Sequence, residues 1–460
     1  MARLAFYTQT YNAEKYVAKS IESVLDQTFT DFVYYIVDDA SSDGTVDIIK
    51  DYAKKDNRIV PYFSQENKIM DLYNEYLEKI TQSDAEFICW LDNDDWYEPE
   101  FAEEMIFLID KYDADVTVCS TVYLDENTNN IVGNNNITSD SALIKREEYG
   151  EQFTFMHVFL RPVWGKLLRL SVFRNNSMKF RTDLDVGCDT VFILDFMRHT
   201  DRIYISDKIL HNYLVRRRSI SRSFSQSMLE GSISLHIYTT AWLNDMNANT
   251  LLNRAFLASV LLNAVRYNIM ILISYDMHIT DKLKYFCDTF TNNWVVEQLT
   301  FFCSLRDIGS DWKKKYDEYR IWLWDTLRHF PPDDSLNKIV QMLIDQDVVM
   351  SNVKENQELL KCQKIVGLLV RDDYEAVGMA IRDEIISASN KDKKLAFTLM
   401  DLCTYIAAFN EDAGLYILAK KYMLEYYLNN KDIENFNALA DELDELIPND
   451  ADVAEMKTRI

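Results

Sequence analysis

Glycine and proline are scarce in this chain of 460 residues, which contains 10 glycines and 6 prolines. The sequence has no Pro/Ser/Gly-rich linker and no low-complexity tract, so we expect long helices joined by short connections. Hydrophobic residues make up 48% of the chain, which is enough for sizeable cores. At about 150 residues per domain, the length predicts two or three structural units.

Cysteines are few and isolated from one another. No two of the 7 cysteines form a CxxC pair, so a zinc ribbon and a thiol redox motif have no support in the sequence. An odd and dispersed set fits reduced thiols in a cytosol better than a disulfide framework.

Basic residues are outnumbered, because 49 Lys and Arg stand against 74 Asp and Glu, giving a net charge of −25. A nucleic acid or an anionic membrane surface would repel such a chain unless a local basic patch compensated, so we expect no nucleic-acid partner. A dense basic cluster does occur at Arg216-Arg217-Arg218.

Long uninterrupted apolar runs are also missing, and no secretory signal peptide is visible. The longest apolar stretch, residues 251–275, contains polar and charged side chains such as Asn253, Arg254 and Arg266. A bilayer-spanning helix needs about 20 mostly apolar residues, so this stretch predicts a buried helix of a soluble, cytoplasmic protein.

The first third of the chain alternates between strand and helix periodicity. Short buried strands are predicted at residues 4–7, 32–37, 59–63, 87–91 and 116–123, with amphipathic helices between them. This alternation is typical of an α/β fold with a mostly parallel, Rossmann-like sheet and helices on both faces.

Two acidic clusters follow predicted strands, Asp38-Asp39 after the second and residues 92–95 after the fourth. Ligands of such sheets bind beyond the carboxyl ends of the strands. In an extended segment Asp92 and Asp94 would point to the same side, and Mg²⁺ takes one or two carboxylates together with substrate phosphates. The arrangement suits a metal–diphosphate, while a solvated acidic turn is the alternative.

Four separated segments carry a resemblance to a known family: residues 7–12 (YTQTYN), 20–28 (SIESVLDQT), 36–45 (IVDDASSDGT) and 90–96 (WLDNDDW). In order and spacing this part of the chain resembles the family 2 glycosyltransferases with the GT-A fold. The resemblance implies an enzyme of the hexosyltransferase class that moves a sugar from a nucleotide-sugar, with UDP as the expected nucleotide, to an acceptor hydroxyl. It also implies Mn²⁺ or Mg²⁺ as cofactor.

The resemblance further implies roles for individual residues. Asp39 would bind the base or ribose of the donor, and the first loop would line the nucleoside pocket. Asp94 would ligate the metal, with Asp92 near the ribose or metal and His211 as an additional metal or phosphate contact. Residues 213–221 (YLVRRRSIS) resemble the segment that closes over the diphosphate. The expected donor-binding residues are Thr8, Tyr11, Asp39, Asn67, Asp92, Arg216 and Ser219.

The second half of the resemblance supplies a candidate base. Residues 164–168 (WGKLL) are similar to the family's W-N-K-L segment, and residues 187–192 (GCDTVF) are similar to its G-E-D segment with Cys188 in place of Glu. By this resemblance Asp189 is the general base of an inverting transfer. The alternative role of Asp189 is to cap the helix that follows.

The chain departs from the family pattern after the third strand. Ile69 and Tyr73 stand where the family usually has Gly and Arg, and Gln9 replaces a proline of the first loop. These changes alter the base pocket and leave room for a second function, a degenerate domain that acts as a binding or scaffold protein. A nucleotidyltransferase is a third alternative, but it normally needs a Gly-rich basic phosphate loop, which residues 8–14 lack.

From about Met228 onward the sequence is helical throughout. We expect a glycosyltransferase domain at 1–225, a helical connecting region at 226–330 and a tetratricopeptide-like module at 331–460, without a clean 34-residue repeat. This helical half is either an acceptor-binding module or an appendage that stabilises the chain or joins copies of it into a homo-oligomer. The family resemblance suggests a cell-surface polysaccharide, teichoic-acid-like polymer or protein as acceptor, and a place in the cytoplasm or at the inner membrane face.

Overall fold

The computed structural model describes residues 2–135, 141–184, 186–216, 224–275, 277–331, 333–345 and 413–459, together with residues 397, 400, 401, 404 and 407. The chain divides into two compact units, Met1–Leu261 and Leu262–Ile460. The predicted division into three domains, 1–225, 226–330 and 331–460, stays a prediction.

Strands and helices alternate through most of the first unit. The described strands are β1 Leu4–Thr10, β2 Phe32–Asp38, β3 Ile59–Phe63, β4 Phe87–Trp90, β5 Trp96–Tyr97, β6 Val116–Asp125, β7 Ile131–Asn135, β8 Ala142–Lys145, β9 Lys166–Arg169 and β10 Arg202–Val215. The helices are α1 Val17–Leu25, α2 Thr45–Lys55, α3 Ile69–Thr81, α4 Phe101–Tyr112, α5 Phe153–Leu160, α6 Leu170–Asn176, α7 Cys188–Met197 and α8 Met228–Asp245.

These strands form one mixed sheet in the order β3-β2-β1-β4-β9-β6-β10-β5, with β7 paired to β6 and β8 to β10. The pairs β1–β2, β2–β3, β1–β4 and β6–β10 are parallel, whereas β9 lies antiparallel between β4 and β6. The prediction of an α/β domain with a mostly parallel sheet followed by many helices is confirmed.

Strand β1 explains why helices cover both faces of the sheet. Its side chains alternate, so that Leu4 and Phe6 enter one core while Ala5 and Tyr7 enter the core on the other face. All four are buried. Each square ångström of apolar surface left in water costs the protein about 25 cal/mol of stability. A strand that is apolar on both sides therefore favours helices packed on both faces of the sheet.

The helix α9, Leu251–Ser274, contains the division between the two units. By length and composition it is apolar enough to cross a bilayer, and 50% of its apolar window is buried inside the protein. In the first unit its Asn253 donates a hydrogen bond to the carbonyl of Gly150 at 2.7 Å.

The second unit is helical wherever it is described. Its helices are α10 Ile279–Thr291, α11 Asn293–Ser304, α12 Ser310–Leu327, α13 Asp334–Asp345, α14 Ala413–Asn429, α15 Ile433–Leu446 and α16 Ala451–Lys457. Asp432 caps α15 and Asp450 caps α16 through side-chain hydrogen bonds to the first backbone amides. Helices α14 and α15 pack against each other, because Met423 and Leu424 of α14 share a hydrophobic core with Phe436 and Leu439 of α15. A tetratricopeptide-like repeat stays a prediction, because most of residues 346–412 lie outside the described part.

Candidate active site

The carboxyl ends of β2, β1 and β4 meet at one edge of the sheet. The β1–β2 register sets Thr10 opposite Asp38, and the β1–β4 register sets Tyr7 opposite Trp90. Two groups of carboxylates result, the β2 rim (Asp38 and Asp39) and the β4 rim (Asp92, Asp94 and Asp95). The sequence-based placement of both rims at one edge is correct.

The β2 rim is held by hydrogen bonds. Asp38 accepts from the Thr10 hydroxyl at 2.8 Å and from the Ser41 amide at 2.9 Å. Asp39 accepts from the Lys68 amide at 2.6 Å and from the Gln9 amide group at 3.3 Å. Both aspartates are buried. The Lys68 contact places Asp39 at the N-terminal end of α3, where a helix favours negative charge.

The two predicted donor contacts of the first loop, Thr8 and Tyr11, have different surroundings, because Thr8 lies within β1 and Tyr11 follows it. Thr8 is 0% exposed, and its hydroxyl accepts a hydrogen bond from Tyr34 at 2.9 Å, so its side chain has no accessible surface to offer a nucleoside. This placement argues for a structural role for Thr8. Tyr11, by contrast, is 52% exposed beyond β1, and the exposed Asn67 side chain approaches the carbonyl of Asp39 at 3.5 Å.

The β4 rim is a turn rather than the extended segment expected, because the Asp95 amide donates to the carbonyl of Asp92 at 3.2 Å. Burial raises the pKa of Asp92 well above its usual range, and the neighbouring charges of Asp95, Asp94 and Asp189 raise it further. Burial also raises the pKa of Asp94, whereas the positive charge of Arg216 lowers it. The Arg216 guanidinium lies 2.6 Å from Asp94 Oδ2.

Behind the rim, Asp95 and His211 form a buried pair. His211 Nε2 lies 3.3 Å from Asp95 Oδ2, without hydrogen-bond geometry among the described residues, and the Trp164 ring stacks on the imidazole at 4.5 Å. The Leu214 amide donates to Asp95 Oδ1 at 2.8 Å. Burial lowers the pKa of His211 to about 3, so the imidazole is neutral. A neutral imidazole is the form that binds a metal.

Asp189 lies in the first turn of α7, next to the β4 rim whose Asp92 it influences. Burial raises the pKa of Asp189, while the Cys188 thiol at 3.6 Å and the charge of Lys166 act in the opposite direction. A carboxylate with a raised pKa is better suited to accept a proton near neutral pH. No cap hydrogen bond from a side chain is present at this helix start, so the structure gives no support to the capping alternative.

Two glycines shape the backbone beside Asp189. Gly187 has φ +81°, a left-handed conformation that favours glycine, and a Cβ there would lie 2.9 Å from Leu235 Cδ2 of α8, so a larger residue would displace that side chain. Gly165 has φ +67°, a region that asparagine also tolerates. This conformation explains how Gly165 can occupy a position where the resembled family usually has Asn.

The neighbouring Lys166 was not predicted as a site residue. It is 1% exposed, and its ammonium donates to the carbonyls of Pro162 at 2.5 Å and Trp164 at 3.4 Å. Burial lowers its pKa to about 7, and its charge acts on Asp189. The basic member of the WGKLL segment was the available signal.

Asn74 and Phe180 were also missed, although they connect the donor side to the base. Asn74 of α3 donates to the Phe180 carbonyl at 3.0 Å and accepts from the Phe180 amide at 2.7 Å. The Phe180 ring stacks on Phe192 of α7 at 3.7 Å. We call this the Asn74 clamp, because it joins α3 to the helix that carries Asp189.

Of the remaining predicted residues, Ser219 lies outside the described residues. Within the described part of the chain, no three His, Cys, Asp or Glu side chains converge in the geometry of a metal site. The carboxylates of the β4 rim nevertheless fit a cation chemically, because burial raises the pKa values of all three, repulsion from rim neighbours adds to the rise at Asp92 and Asp95, and the charge of Arg216 opposes it at each.

Fold and site together define a GT-A-like α/β domain with a carboxylate-lined ligand edge. Residues 7–176 match the profile of Glycosyl transferase family 2, so the chain carries a domain of this family followed by a helical region. The prediction of a family 2 glycosyltransferase is confirmed at that level.

Curated relatives agree with the family. EpsH of Bacillus subtilis (strain 168) is 26% identical over 52% of this chain and 68% of its own length. Glycosyltransferase GlyA of Streptococcus pneumoniae is 24% identical over 50% of this chain and 33% of its own. The poly(ribitol-phosphate) beta-N-acetylglucosaminyltransferase TarS of Staphylococcus aureus is 24% identical over 47% of this chain and 36% of its own length. The match thus spans about a third of the last two relatives.

A crystal structure of S. aureus TarS 1-349 in complex with UDP-GlcNAc aligns with 81% of this chain and 92% of that chain. The identity is 16% and the TM-score is 0.42, which is too low to carry an argument about this chain.

Proposed function

We propose that this protein is an inverting, metal-dependent glycosyltransferase that moves a sugar from a UDP-sugar to a hydroxyl of a cell-surface polymer or protein. The observation that carries the proposal is the meeting of the β4 rim with Asp189. Burial raises the pKa of Asp92, and the charge of Asp189 adds to that rise, so a leaving-group side and a base side lie together.

On the donor side, Asp39 is fixed at the start of α3 and offers carboxylate oxygens to a ribose or base, beside the exposed Tyr11 and Asn67. Arg216 is placed to contact phosphate oxygens, since a guanidinium matches them in geometry and charge. In the present structure its partner is Asp94 at 2.6 Å, so a bound diphosphate would have to share or replace that contact.

On the acceptor side, Asp189 takes the proton of the attacking hydroxyl. The hydroxyl oxygen forms a bond to the anomeric carbon as the bond from that carbon to the diphosphate oxygen breaks, and the nucleoside diphosphate departs. This single displacement inverts the configuration of the sugar. Partial burial supports the assignment, because it raises the pKa of Asp189 and makes the carboxylate a stronger base.

A divalent cation would be held by Asp92 and Asp94, with His211 as a further candidate, and would neutralise negative charge on the diphosphate. These residues fit such a group, since Mg²⁺ or Mn²⁺ needs few protein carboxylates when a diphosphate supplies further oxygens. His211 is fully buried, and the face of its ring stacks on Trp164.

The acceptor and the place of action are inferred from relatives. TarS is by name a transferase to poly(ribitol-phosphate), and we propose an acceptor of the same broad kind, a polymer or protein of the cell surface. Such an acceptor places the protein in the cytoplasm or peripherally at the inner membrane face. The helical region is then an acceptor-binding module or a contact between copies of the chain.

The proposal is tested by incubating the purified chain with Mn²⁺ and single nucleotide-sugars and measuring nucleoside diphosphate release and donor binding. We expect metal-dependent binding and slow release with a UDP-sugar, both weakened by Asp94→Ala, and loss of release alone in Asp189→Asn. Absence of both binding and release for every donor would favour the scaffold function instead.

A further inference from the structure

Two side chains of different chemistry contact the Arg216 guanidinium. Its Nη2 lies 2.6 Å from Asp94 Oδ2 in the β4 rim, and its Cζ lies 5.1 Å from the centroid of the Tyr16 ring. Tyr16 directly precedes α1 and is half-buried. A guanidinium at this distance over a tyrosine ring is attracted by the negative face of the π-system. Arg216 is therefore held both by a carboxylate and by an aromatic ring.

Glu126, in the turn after β6, connects the ring to the strand that carries Arg216. Its Oε1 accepts hydrogen bonds from the Tyr16 hydroxyl at 2.5 Å and from the Lys15 ammonium at 2.6 Å. Its backbone amide donates to the carbonyl of Val215 at 3.1 Å, directly before Arg216. Because the Glu126 side chain is only 18% exposed, these bonds are partly shielded from water. One residue thus fixes both the ring and the backbone from which the guanidinium extends.

The ring contact and the carboxylate contact differ in what a bound donor would leave of them. A divalent cation held by Asp94 would compete with the guanidinium for the same carboxylate oxygens. The Tyr16 ring offers no such oxygen, and it attracts the flat face of the guanidinium. The N–H groups at the edge of the guanidinium then stay available for phosphate oxygens. The ring contact can therefore persist when the Asp94 contact is lost.

We propose that Tyr16 and Glu126 are positioning residues for the donor diphosphate. Glu126 holds the Tyr16 ring, and the ring keeps the Arg216 guanidinium beside the β4 rim once Asp94 is engaged by a divalent cation. Arg216 then donates to the phosphate oxygens, while Tyr16 and Glu126 act through it without contacting the donor. This inference rests on the proposed function, because it concerns the diphosphate of the same site.

The test measures Kd for UDP on the full chain with Mn²⁺ by isothermal titration calorimetry. Tyr16→Leu removes the ring and should raise Kd about fivefold, the size of one cation–π contact at a partly exposed site. Tyr16→Phe keeps the ring and loses the bond to Glu126, so it should recover most of the affinity and leave about a twofold loss. The matched control is Tyr52→Leu, because Tyr52 also donates to a glutamate, Glu22, and has the Lys55 ammonium 5.4 Å from its ring centroid. The control should bind UDP as the wild type does.

A double-mutant cycle separates an effect through Arg216 from a general effect on the fold. In an Arg216→Gln background, Tyr16→Leu should change Kd by less than about 1.5-fold, because the guanidinium that the ring holds is gone. If Tyr16→Leu unfolds, Tyr16→Phe carries the same cycle, with its twofold loss absent beside Arg216→Gln.

Two results would overturn the inference and leave the proposed function standing. One is a wild-type Kd in Tyr16→Leu, and the other is an undiminished loss of affinity in the Arg216→Gln background. If the wild type shows no Mn²⁺-dependent binding of UDP, the proposed function fails and the inference fails with it.

Discussion

At the end of β2, Asp38 accepts hydrogen bonds from Thr10 and Ser41, whereas at the end of β4, Asp95 leaves Oδ2 without a hydrogen bond from any described residue. Both carboxylates are buried in the same sheet edge. The β2 rim is thus satisfied by the protein itself. The β4 rim is a set of carboxylates whose pKa values are raised by burial, and repulsion between neighbours adds to the rise at Asp92 and Asp95.

The difference separates two uses of the same residue type. A hydrogen-bonded aspartate stabilises the loop around it, while crowded carboxylates cost stability until a proton or a cation joins them. Functional sites commonly carry such a cost. The comparison therefore assigns architecture to Asp38 and chemistry to the β4 rim, and the following measurements test that division.

The largest effect is expected at a third carboxylate, Asp189, which resembles the β4 rim in its raised pKa. Asp189→Asn should lower kcat by about 10²–10⁴, because a general base contributes roughly that factor. Donor Kd and the melting temperature should change little, since the amide is of the same size. Steady-state kinetics with a UDP-sugar and an acceptor hydroxyl measure this, and a kcat within threefold of wild type would remove Asp189 from the mechanism.

A loss of stability is expected at the β2 rim. Asp38→Ala should lower the free energy of unfolding by about 1–3 kcal/mol, because buried donors at Thr10 and Ser41 lose their acceptor. Urea titration followed by circular dichroism measures the change. Asp84→Ala is a matched control at an exposed position, where a change within about 0.5 kcal/mol is expected. Equal effects of the two variants would contradict a structural role for Asp38.

At the β4 rim we expect a substitution to raise the free energy of unfolding instead of lowering it. Asp92→Asn should raise the free energy of unfolding of the metal-free protein by about 0.5–2 kcal/mol at neutral pH, since it removes one charge from the crowded set. Mn²⁺ should raise the melting temperature of the wild type more than that of the variant.

The pH dependence follows from the raised pKa of Asp92. The folded state binds more protons than the unfolded state between the unfolded pKa of about 4 and the higher folded value, so wild-type stability falls as pH rises through that window. The advantage of Asp92→Asn should therefore grow as pH rises above about 4 and then level off. A constant difference in melting temperature from pH 4 to pH 8 would contradict the assignment.

The smallest effect concerns the Asn74 clamp, which links the donor side to α7. Asn74→Ala should cost about 1 kcal/mol of stability through two lost hydrogen bonds, and it should lower kcat more than it changes donor Kd, because Asp189 loses its fixed position. Asn74→Asp, which keeps one acceptor for the Phe180 amide, should recover part of kcat. A change confined to donor Kd would assign Asn74 to binding instead.

Local periodicity predicted the alternating part of the fold well. The five strands expected at residues 4–7, 32–37, 59–63, 87–91 and 116–123 are all present, because each is a short apolar run bounded by turn residues. Strand β9 is only four residues long and antiparallel, and so short a segment has no clear local signal. Strand β10 is rich in isoleucine and tyrosine, which favour strands, but its pairing of Val215 with Asp125 of β6 is not encoded in local spacing.

Within the site, the sequence placed the carboxylates but not their surroundings. The burial of Thr8 against Tyr34 depends on which face of β1 meets the core, and the turn at Asp92 depends on one backbone hydrogen bond. The Asn74 clamp joins residues 106 positions apart. Contacts of this kind arise from tertiary packing, which spacing along the chain does not encode.

The contact between Gly187 and Leu235 limits how this protein can be shortened or recombined with other domains. Leu235 belongs to α8, and α8 also binds α7 through Arg198 and Asp245 at 3.0 Å. A chain cut after residue 225 would lose the helix that packs against the loop before Asp189. A useful exchange point for grafting a foreign helical region therefore lies after α8, because α8 belongs to the same compact unit as the sheet.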